Sequence, residues 1–399
     1  MTTQTPMRES RRAWLALVTV LALSLSACGQ AATPSPVPSA PPSVAASPSP
    51  SAAPSPVPSE SPSSGIVEPV FKPACTPPSD KTFKVALIIA QGGLGDQSYN
   101  DLAYSGFQLA QKDFPIVGRV IQSADIVSQG QAILTQAGQA GFDLVIDLEF
   151  STADALKAIG PTFPNTQWMI VNLPSSGPNI TGYLFNEQDG SYLAGALAAM
   201  VTSDTSIPGI NADKVIGAIG GIKSTGIDKF LVGYIQGAHD IDPAVNVLTN
   251  YSNAFGDPAK GKELADAMFG QGADIVYQVA GGTGTGIIQA AQAANHYAIG
   301  VDTDQDALAP GHVLTSMIKR TDFAVYDSIN RLVCGRLKGG DTVTLGLKEG
   351  AVGLSPMKFT RNLIPQAYLD KVAQLRQSII DGTIKVWNVI DQGYPTWFK

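Results

Sequence analysis

From residue 80 onward the chain alternates short apolar runs with amphipathic stretches on a regular beat. The runs at 84–90, 117–121, 144–148, 167–171, 214–219, 245–250, 274–280 and 298–301 have the length and apolar character of strands buried on both faces. Between them, 98–112, 128–140, 190–201, 228–239, 258–270 and 285–295 read as amphipathic helices. This alternation predicts βαβ units, parallel sheets and an α/β fold. The beat breaks near 179–186 and a second series runs from 214 to 302, which predicts two lobes. A strand at 312–318 and a helix at 322–337 follow, and 312–319 reads as a crossover back toward the first lobe. Lobe 1 is therefore expected over about 80–180 and 305–337, and lobe 2 over about 185–303 and 340–399.

Ligands of open parallel sheets sit beyond the carboxyl ends of the strands. The loops to weigh are therefore Gln91-Gly92-Gly93-Leu94-Gly95-Asp96-Gln97-Ser98-Tyr99-Asn100, Gly281-Gly282-Thr283-Gly284-Thr285-Gly286 and Asp302-Thr303-Asp304-Gln305-Asp306. The first two are glycine-rich strand-to-helix turns, where free backbone N–H groups can meet a polar ligand. Glycines required only for a sharp turn and close helix packing are the competing reading. Neither turn has the Gly-Lys-Ser/Thr end of a phosphate loop or the glycine spacing of a dinucleotide fingerprint. Asp302, Asp304 and Asp306 mimic the start of a calcium loop, but Ala307 and Val313 occupy its glycine and glutamate positions, so no metal is expected. A strand-end carboxylate there is better suited to accept ligand hydroxyl protons.

The amino-terminal region sets the compartment. An apolar run at 13–27 follows Arg8, Arg11 and Arg12, and ends in Leu25-Ser26-Ala27-Cys28, the pattern of a bacterial lipobox. Residues 1–27 read as a lipoprotein signal peptide, with Cys28 as the lipidated residue on the outer face of the cytoplasmic membrane. Ser10-Arg11-Arg12 also resembles a twin-arginine signal, which leaves the export route open. Residues 31–64 are almost entirely Pro, Ser, Ala and Val, so 28–79 reads as a lipidated, extended tether to a binding domain at 80–399. In that compartment Cys75 and Cys334 can form a disulfide, which we expect, or remain two unpaired thiols.

Composition narrows the function. A net charge of −7 argues against nucleic acid as a partner. The three histidines, His239, His296 and His312, lie singly near element ends without metal spacing. No nucleophile elbow or zinc motif is present. The residues point to a binder rather than an enzyme, with no cofactor.

Gly95-Asp96-Gln97-Ser98-Tyr99-Asn100 resembles the Gly-Asp-x-Ser-Phe-Asn motif of the basic membrane lipoprotein family. The resemblance continues through Gly220-Gly221, Phe230, Gly233, the run from Phe255 to Gly261, Ala280-Gly281-Gly282-Thr283-Gly284, the run from Ile299 to Gln305, and Leu314-Thr315-Ser316-Met317-Ile318-Lys319. It implies a type I periplasmic-binding-protein fold, with two Rossmann-like lobes on a multi-strand hinge. It also implies a monomeric, lipid-anchored receptor that delivers a nucleoside, purine foremost, to the permease and ATPase subunits of an ABC importer. A receptor for another small ligand such as a sugar, or a sensing lipoprotein without transport, are the alternatives. Within the resemblance, Phe230 is the first candidate to stack on a base, followed by Phe150 and Tyr99, with ordinary core packing as the competing role. Asn100 offers a donor and an acceptor, Asp302 can accept from a ribose diol, and Lys319 can donate to it. Asp96, Ser98, Gly281 and Gly282 complete the expected binding set. Tyr99 departs from the family's Phe, and its hydroxyl needs a partner.

Cys28→Ser should release the protein from the membrane fraction. Retention of the variant, together with a wild type that carries no lipid by mass spectrometry, would refute the anchor.

Overall fold

The computed structural model describes residues 69–398. Cys28, the signal-like run and the tether at 31–64 lie outside the described residues. The chain builds two six-stranded sheets. The first contains β1 (Phe83–Ile88), β2 (Ile116–Ile121), β3 (Leu144–Asp147), β4 (Gln167–Val171), β5 (Ile180–Phe185) and a late strand, β11 (Thr342–Leu345). Their order is β11-β5-β4-β3-β1-β2, parallel throughout. The second contains β6 (Val215–Gly220), β7 (Asn246–Tyr251), β8 (Ala273–Val279), β9 (Tyr297–Asp302), β10 (Val313–Lys319) and β12 (Val352–Leu354), in the order β12-β10-β9-β8-β6-β7. Only β12 in this sheet runs antiparallel.

Helices cover the sheets, as parallel strands require. The first sheet carries α1 (Tyr99–Asp113), α2 (Ile126–Gln139), α3 (Ala153–Ile159) and α8 (Thr321–Val333), with α1 against α8. The second carries α4 (Glu187–Thr202), α5 (Thr225–Ile241), α6 (Pro258–Phe269), α7 (Thr283–Ala294), α9 (Gln366–Ile380) and a short α10 (Val389–Gln392). Every residue of β6, β8 and β9 is buried, which explains why these strands read as continuous apolar runs. Helix α4 reads as amphipathic in sequence but is buried nearly all round, because α5, α9, β10 and β12 all pack on it.

The chain passes between the lobes three times: at Asn186 after β5, at Arg320 after β10, and between β11 and β12. The crossings brace one another. Asn186 N–H donates to Leu345 O at 2.9 Å, and Arg320 N–H donates to Ala351 O at 2.9 Å.

Two boundaries differ from the sequence expectation. The segment 312–319 does not cross between lobes: β10 pairs in parallel with β9, and the crossing follows at Arg320. Residues 340–399 do not all belong to the second lobe, because β11 pairs with β5 in the first sheet. Pairing partners, which local periodicity does not encode, decide both points. The apparent break at 179–186 is strand β5, whose Gly182 disguised it. A side chain at Gly182 would stand 2.4 Å from Ser175 N and 2.5 Å from Leu173 O, so glycine here serves a close backbone approach inside a strand.

The arm that leads into β1 is fastened to the first lobe. Cys75 is bonded to Cys334 at the end of α8. Asn330 accepts from Ala74 N–H at 3.0 Å and donates to Lys72 O at 3.2 Å. Phe71 meets Phe323 and Tyr326 edge-on, with ring centroids 5.6 and 5.3 Å apart. The bond closes a loop of 259 residues, which restricts the unfolded chain. Cys334→Ala should therefore cost about 2–5 kcal/mol in urea unfolding, and reduced wild type should unfold with the variant. Coincident unfolding of the oxidised, reduced and variant proteins would show that the bond adds nothing.

Candidate functional site: an interlobe cleft

One cavity collects the carboxyl ends of strands from both sheets. Gln91 follows β1, Leu148, Glu149 and Phe150 follow β3, and Asn172 follows β4. From the second lobe come Val279 and Gly281, Val301 and Asp302, and Lys319, at the ends of β8, β9 and β10. Thr225 to Ile227 and Phe230 of α5, Phe255, Glu187 and Ile390 complete much of the wall.

Eight of the ten residues expected at the site line it: Asp96, Tyr99, Asn100, Phe150, Phe230, Gly281, Asp302 and Lys319. Ser98 and Gly282 stand behind the wall. The Ser98 hydroxyl donates across the lobes to Asp302 Oδ2 at 2.6 Å. A side chain at Gly282 would stand 3.2 Å from Phe255 O, a tight approach inside the second lobe, and at an ordinary contact distance of 3.5 Å from Asp96 Cβ across the cleft.

Several lining groups are already committed to the protein. Asp96 receives N–H bonds from Ser98, Asn100 and Asp101, and so caps α1. Asn100 accepts from Ala90 N–H at 2.9 Å and donates to Gln91 O at 3.1 Å and Asp96 at 3.0 Å. Both of its amide hydrogens are therefore occupied, and it pins the end of β1 to α1 instead of presenting two free groups to a ligand. Tyr99 donates to Leu148 O at 3.0 Å and accepts from Asn172 at 3.2 Å, which supplies the partners its hydroxyl requires.

Lys319 is held by residues the sequence reading did not single out. Its ammonium donates to Asn172 Oδ1 at 2.6 Å and pairs with Glu187 Oε1 at 2.9 Å. Glu187 Oε2 pairs with Lys229 at 2.5 Å, and Lys229 also donates to Phe185 O. Burial alone would raise the Glu187 carboxyl, but Lys229 and Lys319 hold it below its usual value. The rings of Tyr99, Phe185 and Phe230 lie 5.1, 5.3 and 5.5 Å from the Lys319 ammonium. Two acceptors leave the ammonium a third N–H. Gln91, Glu149 and Asn172 were discoverable, since each follows a strand end in the first lobe. Glu187 and Lys229 carried no comparable signal: one resembles an ordinary first-turn acid and the other a solvated lysine.

Asp302 is presented in an uncommon way. Its φ of +68° lies in the left-handed region, disfavoured for a residue with a side chain. The carboxylate is 6% exposed, and its Oδ1 has no donor among the described residues. Burial pushes its pKa up to about 6, against the pull of Lys319 and the Ser98 hydroxyl.

Taken together, the cleft and its three-crossing hinge define a two-lobed receptor for a small solute. Residues 83–388 match the family described as ABC transporter substrate-binding protein PnrA-like. The chain belongs to this family, and it is a substrate-binding protein rather than an enzyme. It is 33% identical to an ABC transporter nucleoside-binding protein, BmpA, of Lactococcus lactis subsp. cremoris, over 76% of this chain and 88% of that one. It is 31% identical to an uncharacterised lipoprotein of Pyrococcus horikoshii, over 68% of this chain and 69% of that one. Among solved structures, a solute-binding protein of an ABC transporter system from Aeropyrum pernix superposes with a TM-score of 0.70 at 28% identity, covering 77% of this chain and 93% of that chain. These relatives imply an extracytoplasmic, membrane-anchored protein with a small-molecule ligand and ABC permease partners.

The raised pKa of Asp302 has a sign that can be tested. The folded protein keeps this proton up to about pH 6, whereas the unfolded chain releases it near its ordinary value of 3.8. This residue's contribution is therefore most favourable below about pH 4 and is lost as pH rises through about 6. Asp302→Asn should stabilise the empty protein at pH 7 by roughly 1–3 kcal/mol relative to its effect near pH 4. Calorimetric melting of both proteins across that range reads the difference, and parallel curves would contradict it.

Proposed function

We propose that the protein captures a nucleoside, purine foremost, in the interlobe cleft and delivers it to an ABC importer. The supporting observation is the pairing of two surfaces in one cavity. At the deep end stand Asp302, with a free carboxylate oxygen, and Lys319, with a free N–H. Phe150, Phe230 and Phe255 provide apolar faces around them. A ribose diol donates to a carboxylate and accepts from an ammonium, while a flat base gains from aromatic faces.

A neutral nucleoside suits the cleft better than a nucleotide. The lining includes Asp96, Glu149, Glu187 and Asp302 against a single cation, Lys319, and that cation is already paired. A phosphate would meet repulsion without an arginine fork to offset it. The Lactococcus relative is named for nucleoside binding, which supports the same reading. Cys28 would carry the lipid anchor, and the binding unit acts as a monomer. Closure follows ligand because the cleft contacts come from both lobes, and a ligand favours only the state in which it makes more of them.

Calorimetry with adenosine, guanosine, their 2′,3′-dideoxy forms, ribose and myo-inositol tests the reading. Nucleosides should bind and ribose should bind poorly. Asp302→Ala should cost nucleosides about 1–3 kcal/mol and the dideoxy forms little. Phe230→Ala should weaken both purine nucleosides by roughly 1–3 kcal/mol. Phe230 also belongs to the buried core, so the melting temperature of each empty variant is measured beside affinity. Destabilisation by Phe230→Ala with unchanged nucleoside binding would remove its stacking role. Tight binding of a sugar, and none of a nucleoside, would replace the ligand class.

A further inference from the structure

We infer that Ile390 is a specificity-determining wall of the cleft, held in place by a hydrogen bond from Tyr394 to Asp228. The inference rests on the nucleoside reading for its ligand but not for its geometry. Ile390 lies on α10, beyond residue 388 where the family match ends, yet it lines the cavity. It is also 47% exposed, so it stands at the rim rather than among the buried groups of the floor.

The segment around Ile390 is fastened on both sides. Before it, Trp387 N–H donates to Gln236 Oε1 at 2.8 Å, and Gln236 donates to Lys385 O at 3.2 Å. After it, the Tyr394 hydroxyl donates to Asp228 Oδ2 at 2.7 Å. The Trp387 indole closes the segment on itself by donating to Gly393 O at 2.8 Å. Gln236 and Asp228 both belong to α5, on which α10 packs. Asp228 is fully buried and also accepts from Tyr251, so the post that receives Tyr394 is itself fixed. Asp228 adjoins Ile227 and lies two residues before Phe230, both of which line the cavity.

The consequence is chemical selectivity at the mouth. Asp302 and Lys319 hold the hydroxyl-bearing part of a ligand at the deep end, which turns its other end toward the rim. An aliphatic side chain there loses its remaining water contact against an apolar ring, and gains nothing against a bare polyol. Because the wall covers a ligand already seated, it acts mainly on escape.

Stopped-flow release of adenosine and guanosine from wild type, Ile390→Ala and Tyr394→Phe tests the wall. Both variants should release nucleoside roughly three- to tenfold faster, with association changed less than about twofold. The melting temperature of empty Ile390→Ala should match wild type, since the side chain is half exposed. Unchanged release from both variants would overturn the wall. A second measurement needs no ligand. Ile227→Cys should react with a disulfide reagent several-fold faster when Tyr394→Phe is added, and equal rates would overturn the wall on their own. If wild type binds neither nucleoside, the ligand reading fails, and the thiol rates alone decide the wall.

Discussion

A carboxylate buried between two ammonium groups organises the second lobe's side of the cleft, beside two of the three crossings. Glu187 is the first residue of α4, directly after one crossing, and Lys319 is the last residue of β10, directly before another. Their ion pair, with Lys229 on the other carboxylate oxygen, ties the ends of three elements together at the cleft floor. Buried charges of this kind are tolerable only with close partners, and removing one would leave another uncompensated. Lys319 gains a fixed position from the pair, and Asn172 adds a hold from the first lobe.

That position gives the cleft its division of labour. Lys319 and Asp302 end adjacent strands of the second sheet, so a ligand group can meet both. Facing them, Asp96 and Asn100 are occupied in holding the start of α1 against the end of β1, which places Tyr99 and Ser98. Ser98 reaches across to Asp302, and Gln305 donates back to Gln97 O at 2.9 Å. The polar motif of the first loop thus acts largely by shaping the wall, and fewer of its atoms remain for a ligand than its composition suggests.

Fastening the amino-terminal arm to α8 has a mechanical consequence. The disulfide, the Asn330 bonds and the Phe71 ring contacts all lie on the first lobe. Arg320, at the crossing between β10 and α8, lies 5.1 Å from the Phe71 ring, so the arm also braces one strand of the hinge.

By itself the sequence determined the α/β class, the two series of strands and most of the helices, because buried parallel strands need unbroken apolar runs and the helices that cover them need periodic faces. It also pointed to Asp302, Lys319 and Phe230, which line the interlobe cavity, through strand-end logic and a family motif. Tertiary structure alone decided sheet membership. β5 was hidden by a glycine needed for close approach, β11 returned to the first sheet through a remote pairing, and the crossing came after β10 instead of within it. It likewise decided which polar atoms stay available. Asn100 and Asp96 have the right chemistry for a ligand, but hydrogen bonds to neighbouring backbone occupy them. Glu187 and Lys229 matter through partners distant in sequence, and Ile390 reaches the cavity wall on a segment tied to α5 through both Gln236 and Asp228. Local pattern records what a residue can do, whereas burial and partners in space decide what it does.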